Sequence, residues 1–298
     1  MLPIYYFGCF LCSVLGVFSN QRYARNGKKM NNIHIYSLVS GLIAMAFFYV
    51  SSGFNININL RTLVYSVIFA LLIFGNYFLV LIVFRFMGIA EKTFICSGLS
   101  LVATIVMGVV LFKENFEPVS AIQLLLVFAT LLVIFIPKRK KQESLRTITT
   151  VGVVICIGIT VLGIGCTLVA KYFAEDLKVG TVTDENSFFF LTNVFIVALG
   201  ICTVLISQNF SIKAVVREIK MVSPTNYFMI VLNVVSSNLH SLLQMLIFEE
   251  GNLILYAPLS SALGLLAGEV VAVAFAKEKP RILATILALS SVLVVLFF

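Results

Sequence analysis

The chain has 298 residues, 60% of them apolar and 11% charged, where soluble domains carry roughly a quarter charged residues. With a mean hydropathy of +1.08, this excludes a water-soluble globular protein and leaves an integral membrane protein. The net charge of +8 invites a nucleic-acid reading only until the basic residues are placed on their connections.

A crossing needs about 20 mostly apolar residues to match a hydrocarbon core of roughly 30 Å. Ten stretches qualify: 2–20, 33–53, 61–84, 93–112, 118–137, 148–171, 187–207, 227–248, 253–276 and 280–298. Span 1 opens on the uncharged Met1-Leu2-Pro3, and no small-residue cleavage pattern follows it, so it is expected to be retained rather than removed as a signal. Its basic flank, Arg22, Arg25, Lys28 and Lys29, comes after it.

Span 3 carries Asn76 beside Tyr77. An amide at that depth is costly unless it faces the bundle interior or a wet cavity, and Tyr77 either stacks on an organic solute or packs. Span 4 opens on Arg85-Phe86-Met87-Gly88-Ile89-Ala90-Glu91 and closes on Lys113-Glu114. Span 5 runs into Lys138-Arg139-Lys140-Lys141-Gln142-Glu143-Ser144-Leu145-Arg146, a stretch suited to anionic lipid. It divides the chain into a first unit, 1–137, a linker, 138–147, and a second unit, 148–298. Span 6 ends at Lys171, whose amine is expected to snorkel to the headgroups.

Span 8 carries Asn226, Asn233, Ser237, His240 and Gln244 at spacings of 7, 4, 3 and 4, which places them on one helix face. Such a stripe either lines a pathway, its amides and imidazole bonding a polar solute, or fastens span 8 to its neighbours. Span 9 holds Glu269, a carboxylate well inside an apolar helix and thus a candidate coupling group or counter-charge for a cation. Beside it Gly264 and Gly268, with Ala257, Ser260, Ser261 and Ala272, form a small-residue seam for close packing.

Of the 21 Lys and Arg, 17 fall on the odd-numbered connections. Basic residues accumulate on the cytoplasmic side, so the odd connections are expected in the cytoplasm and both termini outside, in the cytoplasmic membrane. The six cysteines, Cys9, Cys12, Cys96, Cys156, Cys166 and Cys202, lie inside spans, make no metal-ligand set and predict no disulfide. HExxH, GxSxG and Walker patterns are missing from the sequence, and its lone CxxC spacing, Cys9-Phe10-Leu11-Cys12, lies inside an apolar span without a second ligand pair. The expectation is no enzyme, no cofactor, no metal and no direct use of ATP; the expected partners are a small-molecule solute and membrane lipid, not nucleic acid, with the chain a monomer or homodimer.

A shift of 164 residues lays Leu111-Phe112-Lys113-Glu114 on Phe275-Ala276-Lys277-Glu278, each followed by a proline and a last apolar helix. It also lays Asn76 on His240. Five spans per copy means that tandem copies enter the membrane in opposite directions, giving an inverted repeat with a site near the midplane. The expected fold is therefore all-α, ten transmembrane helices in two inverted five-helix repeats.

On Glu114 and Glu278 in their turns, the opening of span 4 at 85–91, and Ala257-Pro258-Leu259-Ser260-Ser261 opening span 9, the chain resembles the drug/metabolite transporter superfamily. The resemblance is to its ten-span bacterial members with two EamA-type repeats, over essentially the full length. It departs in carrying Lys113-Glu114 and Lys277-Glu278 where family turns usually have Gly-Glu, and in having no tryptophan. The resemblance implies secondary transport of a small metabolite or drug, often as efflux coupled to protons or exchange. Expected to line the cavity are spans 3, 8 and 9 with parts of 1, 4 and 6. Asn76, Tyr77, Asn233, Ser237, His240 and Gln244 would contact the solute, with Glu269 as coupling group. Two rival readings are a nucleotide-sugar, sugar-phosphate or lipid-linked sugar translocator, weakened because no span centre carries Arg or Lys, and a non-transporting membrane sensor or assembly partner.

Overall fold

Inside a bilayer no water is at hand for backbone N–H and C=O groups, so an apolar chain satisfies them within helices. The structure, a computed structural model, describes residues 2–26, 31–115, 118–135, 150–250, 253–275 and 282–297. Among these all regular structure is α-helical. The elements are α1 (Leu2–Asn26), α2 (Asn31–Ser51), α3 (Leu60–Val83), α4 (Ile89–Leu111), α5 (Pro118–Phe135), α6 (Thr150–Val179), α7 (Glu185–Ser207), α8 (Ile212–Met221), α9 (Pro224–Glu250), α10 (Leu253–Ala274) and α11 (Ile282–Phe297).

Six helices, α1, α3, α6, α7, α9 and α10, are long and apolar enough to cross a membrane; α2, α4, α5 and α11 contain shorter apolar helices. The fold is all-α and suited to several membrane crossings. Spans 1–7 correspond to α1–α7, and spans 8, 9 and 10 to α9, α10 and α11. The offset comes from α8, which the sequence reading leaves as a connection. At ten residues α8 reaches only about 15 Å, too short to cross. It exposes Lys213, Arg217 and Lys220, as a helix lying along a headgroup surface does. The linker 138–147 and the turn Lys277-Glu278 lie outside the described residues.

Helix starts follow local chemistry. Asn59 Oδ1 accepts the Arg61 N–H at 2.8 Å and Asp184 Oδ1 accepts that of Ser187 at 2.9 Å, each filling one orphan donor of a first turn. α5 and α9 begin on Pro118 and Pro224, where a missing N–H costs nothing. α4 ends in a left-handed turn, with Lys113 at φ 53° and the Glu114 N–H returning to the Gly108 carbonyl at 3.1 Å. This is the conformation that favours glycine, and Lys113 occupies it at a cost of about 1–2 kcal/mol.

Packing pairs α1 with α9 and α3 with α6, α1 with α10 and α4 with α6; α2 lies on α7, α4 on α10 and α5 on α11. Two crossings are alike in kind, although their glycines, Gly8 and Gly158, lie 150 residues apart. A Cβ on Gly8 would lie 2.7 Å from Leu243 Cδ1, and one on Gly158 would lie 2.9 Å from Leu79 Cδ1, and Leu79 and Leu243 are 164 residues apart. Between α4 and α10, Ser261 Oγ donates to the Ser97 carbonyl at 3.5 Å, again across 164 residues. The expected seam on α10 is present: Gly268 faces Thr93, and Gly264 faces Ser97.

The even-numbered connections meet at one end. Asn57 N–H donates to Ser187 Oγ, Asn59 Nδ2 to the Thr181 carbonyl and the Thr183 N–H to Thr62 Oγ1, all at 3.0 Å. Arg61 Nε pairs with Asp176 Oδ2 at 2.8 Å. Glu114 reaches α10 at the same end, its Oε1 and Oε2 accepting the N–H groups of Leu253 and Ile254 at 3.0 Å each. Beneath this seal lies a buried aromatic cluster that includes Phe48, Phe69, Phe173, Phe188, Phe189 and Phe248.

Candidate functional site

α3, α7 and α9 do not close on one another completely. They leave a cavity of about 110 Å³, lined by Ile73, Asn76 and Tyr77 from α3, by Phe189, Thr192, Asn193 and Ile196 from α7, and by Ser237, Asn238 and Ser241 from α9. At roughly 30 Å³ per water, that is space for about four. One wall is Phe189, stacked on Phe48 at 5.0 Å between ring centroids, so the aromatic cluster starts at the cavity itself. Another is Tyr77, edge-on to Tyr36 at 5.8 Å.

The polar atoms around this hollow are unevenly satisfied. Asn193 Nδ2 donates to the Phe189 carbonyl at 2.8 Å, and Ser241 Oγ donates to that of Ser237 at 3.0 Å. Asn76 Oδ1, Thr192 Oγ1 and Asn238 Nδ2 are buried with no hydrogen-bond partner. One comes from each helix. An unmet buried polar atom costs about 1–3 kcal/mol, and here three gather at one void.

Of the residues picked from sequence, Asn76, Tyr77 and Ser237 line the cavity; Asn233, His240 and Gln244 do not. Asn233 is a fastener. Its Nδ2 donates to the Tyr36 hydroxyl, its Oδ1 accepts from Ser19 Oγ at 3.3 Å, and Tyr36 donates in turn to Asn20 Oδ1 at 2.8 Å, joining α1, α2 and α9. His240 Nδ1 stands 3.4 Å from the Cys9 carbonyl, directed at α1. Gln244 is half-buried on the same stripe.

The reason is angular. At about 100° per residue, the predicted stripe centres close to Asn233, whereas Ser237, Ser241 and Asn238 centre about 75° further round α9. Ser237 belongs to both faces. The stripe therefore faces α1 and the adjacent face meets the hollow. Thr192 and Asn193 escape the sequence reading, although a polar pair inside the apolar run Phe188-Phe189-Phe190-Leu191-Thr192-Asn193-Val194-Phe195 is itself a signal.

Glu269 lies elsewhere. It borders a much smaller void, of about 10 Å³, with Thr130 of α5 and Ala284, Thr285 and Ala288 of α11. The cavity is lined from α3, α7 and α9, and among the described residues none of α10 borders it. Lys171 is likewise not snorkelling. Its side chain is 5% exposed and its amine lies 3.7 Å from Glu114 Oε1 and 3.9 Å from Glu175 Oε1, near the faces of Phe112 and Phe248. Among the described residues no cluster of three or more His, Cys, Asp or Glu is arranged to hold a metal.

No family model and no curated protein matches this chain. A solved structure, described as the crystal structure of a protein, is similar over 99% of this chain and 96% of its own, with a TM-score of 0.65 at 15% identity. At that identity the likeness is one of fold, and it extends across the whole chain.

Proposed function

We propose that this protein is a secondary carrier that moves a small solute across the cytoplasmic membrane by alternating access. The observation that carries the reading is the cavity between α3, α7 and α9, where three unpartnered polar atoms converge. Among the described residues seven more buried polar atoms lack partners, Gln123 Oε1 and Ser291 Oγ among them, but these three border a void with room for a solute. A site that is filled and emptied in turn keeps them ready.

The architecture proposed with it is ten spans in two inverted five-helix units, 1–137 and 148–298, α8 lying outside the count. Exchanging the units turns α1 on α9 into α6 on α3, and α1 on α10 into α6 on α4; all four pairings occur. The Gly8–Leu243 and Gly158–Leu79 crossings support the same exchange, as does the meeting of Ser97 with Ser261. Such a two-fold relation lets two units rock about a midplane site with nearly equal energies for the two tilts. The bias of Lys and Arg toward the odd connections supports placing that end in the cytoplasm. The resemblance to the drug/metabolite transporter superfamily points to the same class, with export the favoured direction.

Among the described residues no carboxylate, Lys, Arg or His lines the cavity. This favours exchange or the solute's own gradient over a proton site within the lining, and it disfavours nucleotide-sugar or sugar-phosphate cargo, which calls for Arg or Lys. The test is flux in proteoliposomes holding a mixed panel of small solutes. The reading expects saturable movement of at least one solute, stopped by Thr192→Phe, whose ring would fill the hollow. Flux of none, or flux indifferent to that plug, would contradict it.

A further inference from the structure

We infer that the solute is uncharged and carries both hydrogen-bond donors and acceptors, as a small polyol or a primary amide does. This rests on the carrier reading of the same cavity and narrows it.

Charge is disfavoured by the lining. Its polar members are Asn76, Tyr77, Thr192, Asn193, Ser237, Asn238 and Ser241, which offer dipoles and no counter-ion. An ion brought here from water leaves hydration worth several kcal/mol even after relaxation, with no opposite charge among the lining residues to offset it. The free valences are of mixed kind. Asn76 Oδ1 calls for a donor, Asn238 Nδ2 for an acceptor, and the Thr192 hydroxyl serves as either. Turning one amide over would make the two amide valences alike, and the Thr192 hydroxyl, which both gives and takes, then supplies the other kind. A bare cation would meet the oxygens and leave the amide N–H groups unmet; an anion would do the reverse.

Shape narrows the class further. Space for about four waters suits a compact solute of about six non-hydrogen atoms, because bonded atoms lie closer together than waters do. Ile73, Ile196 and the faces of Tyr77 and Phe189 supply apolar wall for its carbon side. Glycerol and urea fit that description; choline and lactate do not.

The experiment uses full-length protein with its native cysteines replaced and Ser241→Cys added, and follows modification of that thiol by a small methanethiosulfonate. Glycerol or urea should slow labelling saturably, at least threefold, while choline, lactate and sucrose, the last too large for the hollow, should not. Asn76→Leu and Asn238→Leu should abolish the protection. Protection by choline or lactate alone, or by no compound, overturns the inference. Should Ser241→Cys misfold, Ser237→Cys reads the same hollow. The two readings fail separately. Protection by glycerol without saturable glycerol flux in proteoliposomes would sink the carrier and keep the solute class. Thr192→Phe-sensitive flux confined to charged solutes would sink the class and keep the carrier.

Discussion

The Glu114 carboxylate stands 3.7 Å from the Lys171 ammonium while its two oxygens take the first N–H groups of α10. Both side chains are nearly buried, at 8% and 5% exposed. The helix dipole and the ammonium act on one carboxylate. Together they tie the α4–α5 turn to α6 and α10, across the boundary between the two proposed units.

Removing Glu114 is expected to cost more than the pair itself contributes, since it leaves the buried Lys171 ammonium to the exposed Glu175 at 3.9 Å. Glu114→Ala should lower the stability of the detergent-solubilised protein by about 3–5 kcal/mol, read as a fall in its thermal unfolding midpoint. The double variant Glu114→Gln with Lys171→Met should recover most of that loss. A double variant as unstable as Glu114→Ala would show that the α10 cap, not the ion pair, dominates.

Lys113 sits in a left-handed turn at φ 53° with its side chain exposed. Lys113→Gly should raise stability by about 1 kcal/mol, relieving the Cβ clash and forfeiting little else. An unchanged or lower unfolding midpoint would refute this account of the turn.

Fastening and lining residues should separate by assay. Asn233→Ala breaks the links to Tyr36 and Ser19 and is expected to cost about 1–3 kcal/mol. Transport per folded molecule should be retained. Thr192→Val and Asn238→Leu remove polar atoms that have no partner, so stability should hold or rise while transport falls at least tenfold. The comparison requires flux and unfolding measured on the same preparations; the reverse pattern would move the site to the α1–α9 contact.

Glu269 lies with Thr130 and Thr285 among α5, α10 and α11, apart from the cavity. Glu269→Gln should leave the rate and pH profile of transport within about twofold of the parent. A flattened pH profile in that variant would restore a coupling role to this carboxyl.

Much of the fold is legible in the sequence because a bilayer imposes a length on every crossing. The helices from Leu60, Thr150, Glu185 and Pro224 begin within about three residues of their predicted starts, since each begins at a cap, a proline or a change from polar to apolar sequence. α8 is missed because ten residues mixing Ile212, Val215 and Val216 with Lys213, Arg217 and Lys220 make no long apolar run. The site is half legible. Polarity inside a span identifies α9 as important, but periodicity alone does not say which neighbour each face meets, so Asn233 and His240 are chosen where Asn238 and Ser241 line the hollow. Asn76 is found because it stands isolated on α3. Glu269 misleads because a lone carboxylate in an apolar helix looks the same whether it borders a cavity or an outer helix contact.

The central claim is that the hollow between α3, α7 and α9 opens by turns to the two sides of the membrane. The most direct measurement is labelling of Ser237→Cys, in protein lacking its native cysteines, by a membrane-impermeant thiol reagent added to right-side-out and to inside-out vesicles. The account predicts modification from both sides, each blocked by Thr192→Phe. Modification from one side only, under every solute condition, would contradict it.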